Sequence, residues 1–143
     1  MNPNNIPQGH GGPNSQPNYG KIDNFIQTFT MNIRQAEILK NTDTVGKMDP
    51  YCKIRIGKTL KQTKWLKNAG QKPIWNEDIV FTELNPDETI FVEVYDKDTM
   101  FDDFDGQFQI PLKDALARSG QLGWYDLYPK KPKPNQQKLG QIY

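Results

Sequence analysis

The chain has 143 residues, 35% of them hydrophobic, and a mean hydropathy of −0.82, which suits one domain of about 100 to 150 residues and not two. No apolar run approaches the roughly 18 residues that a bilayer span requires, so any membrane contact is expected to be peripheral. The net charge of +1 hides a strong sorting: residues 25–67 carry nine bases and three acids, residues 68–110 two bases and eleven acids, and residues 111–143 six bases and two acids. Blocks of opposite sign on one small surface attract unlike partners.

Cys52 is the only cysteine and His10 the only histidine, which excludes an intramolecular disulfide and a closed Cys/His zinc site. The absence of a basic-then-apolar leader, and of myristoylation and prenylation patterns, leads to an expected cytoplasmic address.

In chain order, residues 1–24 come first. Of the first 20 residues, 15 are Asn, Pro, Gly or Gln, too little apolar surface to offset the entropy of ordering, so a disordered tail is expected. From Phe25 to the end a single domain is expected, and its dominant period is two, the signature of half-buried strands. Phe29, Met31 and Ile33 alternate with Thr30, Asn32 and Arg34, and Cys52, Ile54 and Ile56 with Tyr51, Lys53 and Arg55. Further strands are expected at Thr63–Leu66, Ile74–Thr82, Thr89–Tyr95, Gln107–Leu112, Trp124–Tyr128 and Leu139–Tyr143, with one helical turn at Lys113–Ser119 closed by Gly120. About eight short strands between Gly, Pro, Asn and Asp clusters predict an all-β fold, an antiparallel β-sandwich or barrel. Loops at its two ends are then the natural functional surfaces.

The densest chemistry lies between Asp96 and Asp105, where Asp96, Asp98, Asp102, Asp103 and Asp105 place five carboxylates in ten residues. Like charges gathered on a loop either stay solvated or wrap a cation, and hard oxygen donors at this density suit calcium better than magnesium. Asp43 and Asp49 flank a second turn-like segment. An EF-hand does not fit, because Met100 and Phe101 stand where a third ligand and the obligatory glycine belong. Gly57-Lys58-Thr59 lacks the upstream glycine of a phosphate-binding loop, a position held by Cys52.

Four segments follow one another: Asp43-x5-Asp49-Pro50-Tyr51, Pro73-x-Trp75-Asn76-Glu77, Val92-x-Val94-Tyr95-Asp96-x-Asp98 with Asp103-Phe104-x-Gly106, and Trp124-Tyr125-x-Leu127. In order and spacing they resemble a C2 domain, the eight-stranded calcium- and phospholipid-binding sandwich, over residues 25–143. The resemblance implies two calcium ions between loops at one end, held by Asp43, Asp49, Asp96, Asp98 and Asp103, with main-chain oxygens near Met48 and Lys97. Asp98 and Asp103 stand five apart where the family usually shows six, which makes Asp102 an alternative ligand. Asp105 replaces a residue that is commonly apolar.

An electrostatic switch follows from that ligand set, in which bound calcium cancels the loop charge and lets lipid phosphate approach. Met48, Met100 and Phe101, with Val45, are expected as apolar loop tips that enter the headgroup region. Tyr51, Lys53 and Lys64 fall near the family's phosphoinositide-binding patch, within a basic stretch that includes Arg55, Lys61 and Lys67; Trp65 is a candidate cap for it. Trp75, Asn76, Glu77 and Cys52 are read as structural.

The expected partner is an anionic phospholipid membrane, phosphoinositides included, bound peripherally on calcium. The alternative is an adaptor docked by protein contacts in a large intracellular assembly, with the tail and Lys130–Pro134 as arms. An enzyme is not expected, since residues 25–143 hold no histidine and only one serine, Ser119. Nucleic acid is not an expected partner either, because the acidic loop would repel phosphates.

Overall fold

A computed structural model describes residues 24–40, 46–131, 133–135 and 137–143. The expected tail and Asp43 fall, apart from Asn24, outside the described residues. The elements are β1 (Ile26–Ile38), β2 (Pro50–Ile56), β3 (Thr59–Gln62), β4 (Ile74–Leu84), β5 (Thr89–Asp96), β6 (Asp103–Pro111), α1 (Leu112–Ala117), β7 (Tyr125–Leu127) and β8 (Gly140–Ile142).

They form two four-stranded sheets, ordered β4-β1-β8-β7 and β3-β2-β5-β6, with every pairing antiparallel. The core lies between them and is built from the inward residues of alternating strands, among them Ile33, Cys52, Ile54, Ile56, Phe81, Ile90, Val92, Val94 and Leu127. Each face of β2 and β5 does what its sequence period requires, apolar residues inward and Tyr51, Lys53, Arg55, Phe91, Glu93 and Tyr95 outward. Trp75 is 8% exposed and its indole N–H donates to the Pro50 carbonyl at 3.2 Å, which fits the structural role expected of it.

The strand expected at Thr63–Leu66 lies one segment earlier, at Thr59–Gln62, because Gly57, with φ of +57°, turns the chain straight back so that Ile56 faces Thr59. All four residues of β3 are exposed, so no apolar alternation marks them. Thr63 follows as a buried residue whose hydroxyl accepts the Cys52 N–H at 2.9 Å, a side chain standing where a ladder carbonyl would be.

One irregularity aims the functional end. Between β5 and β6 the register moves from Val94↔Gly106 to Tyr95↔Phe104, leaving Asp105 as the extra residue of a bulge, 2% exposed. Phe104 thereby shares the outer face with Tyr95, and Asp103 meets Asp96. By strand direction, residues 46–49, 63–73 and 97–102 cluster at one end of the sandwich, and the start of β1 lies at the other.

Candidate functional site

The acidic end is assembled by strand register. Pro50 pairs with Asp96 and Asp96 with Asp103, so Asp49, Asp96 and Asp103 arrive together from three chain segments. The Asp49 N–H donates to Asp96 Oδ1 at 2.7 Å, the Lys97 N–H to the Asp49 carbonyl at 3.0 Å, and the Asn68 N–H to Asp49 Oδ1 at 2.6 Å. Asp96 is fully buried. The Asp98 carboxyl is pushed above its ordinary range, first by lost solvation and then by the negative charges of Asp96, Asp103, Asp102 and Asp49. That repulsion is the electrostatic mark of acids converging on one place.

Asp102 turns another way. Its Oδ2 accepts the Tyr51 hydroxyl at 2.5 Å, and its Oδ1 accepts the Asp98 N–H at 3.0 Å and the Lys97 ammonium at 3.3 Å. Partial burial would raise its carboxyl, but these bonds outweigh burial and hold it below the usual range. Among the described residues no three acidic or sulfur- or imidazole-bearing side chains close on a common metal position. The donor set is nevertheless all oxygen, crowded and anionic, and so chemically suited to a hard divalent cation.

Of the expected apolar tips, Met100 and Phe101 are 83% and 81% exposed. Met48 is not a tip. Its side chain is wholly buried in the core, and its carbonyl accepts the Gly70 N–H at 3.0 Å, stitching two loops together. That carbonyl, expected to face a cation, is thus engaged within the protein. Val45 lies outside the described residues.

The outer face of the second sheet joins this end. Tyr51 and Tyr95 stack with centroids 5.8 Å apart, and Phe104 meets Tyr95 edge-on at 5.7 Å. Lys53 lies over both tyrosine rings, at 5.9 and 4.5 Å. Lys130 lies over Tyr95 and Phe104, at 5.7 and 4.9 Å, and donates to the Tyr95 hydroxyl at 3.3 Å. That contact raises the Lys130 ammonium above its ordinary value, while burial foremost, and then the Glu93 bond, raises the Tyr95 phenol. Lys64 is exposed at the β3 side, its backbone N–H held by Glu77 Oε2 at 2.9 Å, and Trp65 beside it is 47% exposed. Tyr51 itself is 3% exposed and serves as the floor of the patch, not as its surface. Sequence alone does not place Lys130 here; its only signal is the basic run of Lys130, Lys131 and Lys133, which carries no hint of its aromatic neighbours.

The family model for the C2 domain matches residues 27–127. The chain belongs to the C2 domain family. It is similar to the 16 kDa phloem protein 1 of Arabidopsis thaliana, 33% identical over 99 residues that make up 65% of this chain and 64% of that one. It is also similar to extended synaptotagmin-3 of Homo sapiens, 32% identical over 102 residues, 68% of this chain and 11% of that one. This chain thus matches only 64% and 11% of the length of these two relatives. Among solved structures, the calcium-bound pair of C2 domains, A and B, of extended synaptotagmin 2 matches with a TM-score of 0.67 and 26% identity, over 81% of this chain and 43% of that one. The A domain of the C2 type from plant extended synaptotagmin 1 matches at 0.64 with 19% identity, over 82% of this chain and 90% of that one, and shares the fold.

Proposed function

We propose that this C2 domain is a calcium-dependent module for anionic phospholipid membranes, acting peripherally at the cytoplasmic side and not as an enzyme. The observation that carries the reading is that Asp49, Asp96, Asp98 and Asp103 gather at the end where Met100 and Phe101 stand exposed. Asp43 completes the proposed ligand set. Calcium, when bound, supplies positive charge that offsets these carboxylates and coordination positions open to lipid phosphate oxygens. The likeness to the calcium-bound extended synaptotagmin 2 domains supports the choice of ion.

The chain's own residues divide the remaining work. Before a cation binds, the carboxylates repel an anionic surface and keep the end in water. Burying Phe101 or Met100 among lipid chains contributes on the order of 1.5–3 kcal/mol each. Lys53, Lys64 and Lys130 flank that end and add ~1 kcal/mol apiece near an anionic bilayer, phosphoinositide headgroups included. No helix among the described residues is long and apolar enough to cross a membrane.

Cosedimentation with phosphatidylcholine/phosphatidylserine vesicles tests the reading. Binding that rises with calcium and is lost to chelator is expected, and lost too in Asp96→Asn or Asp98→Asn. Sedimentation indifferent to chelator, or absent at every calcium concentration, would refute it.

A further inference from the structure

We propose that Tyr51 is a positioning residue that withholds Asp102 from the cation-binding carboxylates and so sets the affinity of that end for calcium. The inference rests on the calcium-binding reading above and goes beyond it by separating two adjacent acids, Asp102 and Asp103, that sequence leaves interchangeable. Asp103 pairs with Asp96 across the strands, while both Asp103 and Asp102 bring negative charge to Asp98. Asp102 has both oxygens taken by donors: Oδ2 by the Tyr51 hydroxyl at 2.5 Å, and Oδ1 by the Asp98 N–H at 3.0 Å and Lys97 at 3.3 Å.

Tyr51 is well placed to hold that bond. Its ring is 3% exposed, stacked on Tyr95 and covered by Lys53, so the phenol has no room to swing away. It follows Pro50 directly and lies two residues after Asp49, so the strand end that delivers one proposed ligand also holds back another acid. A charge-assisted bond from a buried hydroxyl to a carboxylate is among the stronger hydrogen bonds, and it competes with rotation of Asp102 toward a cation. Removing the hydroxyl while keeping the ring leaves Oδ2 without that donor and frees a carboxylate oxygen to turn toward a cation.

The bond and the withholding are tested separately. A double-mutant cycle in urea unfolding of the cation-free protein reads the bond: the midpoint shifts of Tyr51→Phe and Asp102→Ala are expected to be non-additive in the double variant. Additive shifts would overturn the proposal without touching the calcium reading. Calcium calorimetry without lipid reads the withholding. Tyr51→Phe is expected to bind calcium roughly three- to tenfold more tightly, since bringing an existing carboxylate charge a few ångströms closer to the cation gains about that much in a high effective dielectric. Asp102→Asn alone removes a charge that acts on the cluster through space without ligating, so it lowers affinity a few-fold, and Tyr51→Phe/Asp102→Asn matches Asp102→Asn. Loosened packing would weaken binding, so tighter binding in Tyr51→Phe is not a mark of damage. Weaker or unchanged binding in Tyr51→Phe, or a loss of tenfold or more in Asp102→Asn, would overturn the withholding. A wild-type chain that binds no calcium would overturn both the calcium reading and this inference.

Discussion

Gly140 lies so close to the Glu37 carbonyl that a Cβ at position 140 would stand 2.2 Å from that oxygen. The obstacle is backbone in the last residues of β1, and Gly140 is paired on both sides, to Ile38 and to Leu127. Gly140→Ala must therefore push β8 away from β1, and overpacking of this kind costs about 1–3 kcal/mol. Urea unfolding should show the midpoint falling; an unchanged midpoint would contradict the close approach.

Met48 and Phe101 should separate cleanly. Met48→Ala empties a fully buried core position and is expected to cost about 2–5 kcal/mol of stability. Phe101→Ala, at a side chain 81% exposed, should leave the melting temperature within error and weaken vesicle partitioning several-fold. Thermal unfolding and vesicle cosedimentation of both variants check the pair, and a stability loss in Phe101→Ala would count against an exposed tip.

Lys53 and Lys130 share the Tyr95 ring, so they should act on anionic vesicles in kind. Each change to Ala is expected to lower affinity about fivefold at low salt, in line with ~1 kcal/mol per lysine at an anionic surface, with the effect shrinking as salt rises. An unchanged affinity in Lys130→Ala would remove that residue from the lipid-facing patch.

Asp126 supplies a pH dependence. Gln141 Nε2 at 3.0 Å and Lys138 Nζ at 3.2 Å hold its carboxyl below the ordinary value, joining β7 to β8 and to the segment before it. A carboxyl whose folded pKa is depressed stabilises the fold above its unfolded value, and that contribution is lost as pH falls through the folded one. The melting temperature of Asp126→Asn should lie below that of the wild type at neutral pH, with the gap closing below about pH 4. A gap that persists in acid would point to packing instead of charge.

Cys52 is wholly buried, and burial first, then the negative charge of Glu77, pushes its thiol well above the ordinary value. Thiolate is the reactive form, so the folded protein should be inert to aromatic disulfide reagents and become reactive only with unfolding. Fast labelling of the native protein would show that β2 opens locally.

Much of this architecture was legible because one face of each central strand is buried. In β2 the alternation of Cys52, Ile54 and Ile56 with Lys53 and Arg55 states both the strand and its inward face, and the same holds for β5. β3 carried no such mark, since a four-residue edge strand with every side chain in solvent has no apolar period. The acidic residues were legible as a cluster, but division of labour between Asp102 and Asp103 was not, because it depends on a phenol 51 residues away in sequence. Met48 differs for a related reason: between Gly46-Lys47 and Asp49-Pro50 it has the surroundings of a loop tip, and its burial goes with long-range bonds, from Gly70 to its carbonyl and from Asp49 to Asp96, that no local pattern encodes. Lys130 reaches its aromatic partners through packing that no local pattern encodes.

The course of β1 carries a consequence for reach. Its 13 residues run from the end of the sandwich away from the acidic loops toward the end that bears them. At about 3.3 Å per residue the two ends stand on the order of 40 Å apart. Whatever polypeptide precedes Asn24 therefore joins the domain on its far side. If Met100 and Phe101 enter a bilayer as proposed, that attachment point lies at the end of the sandwich away from the lipid-entering loops, so a segment fused there would not have to compete with them for the surface.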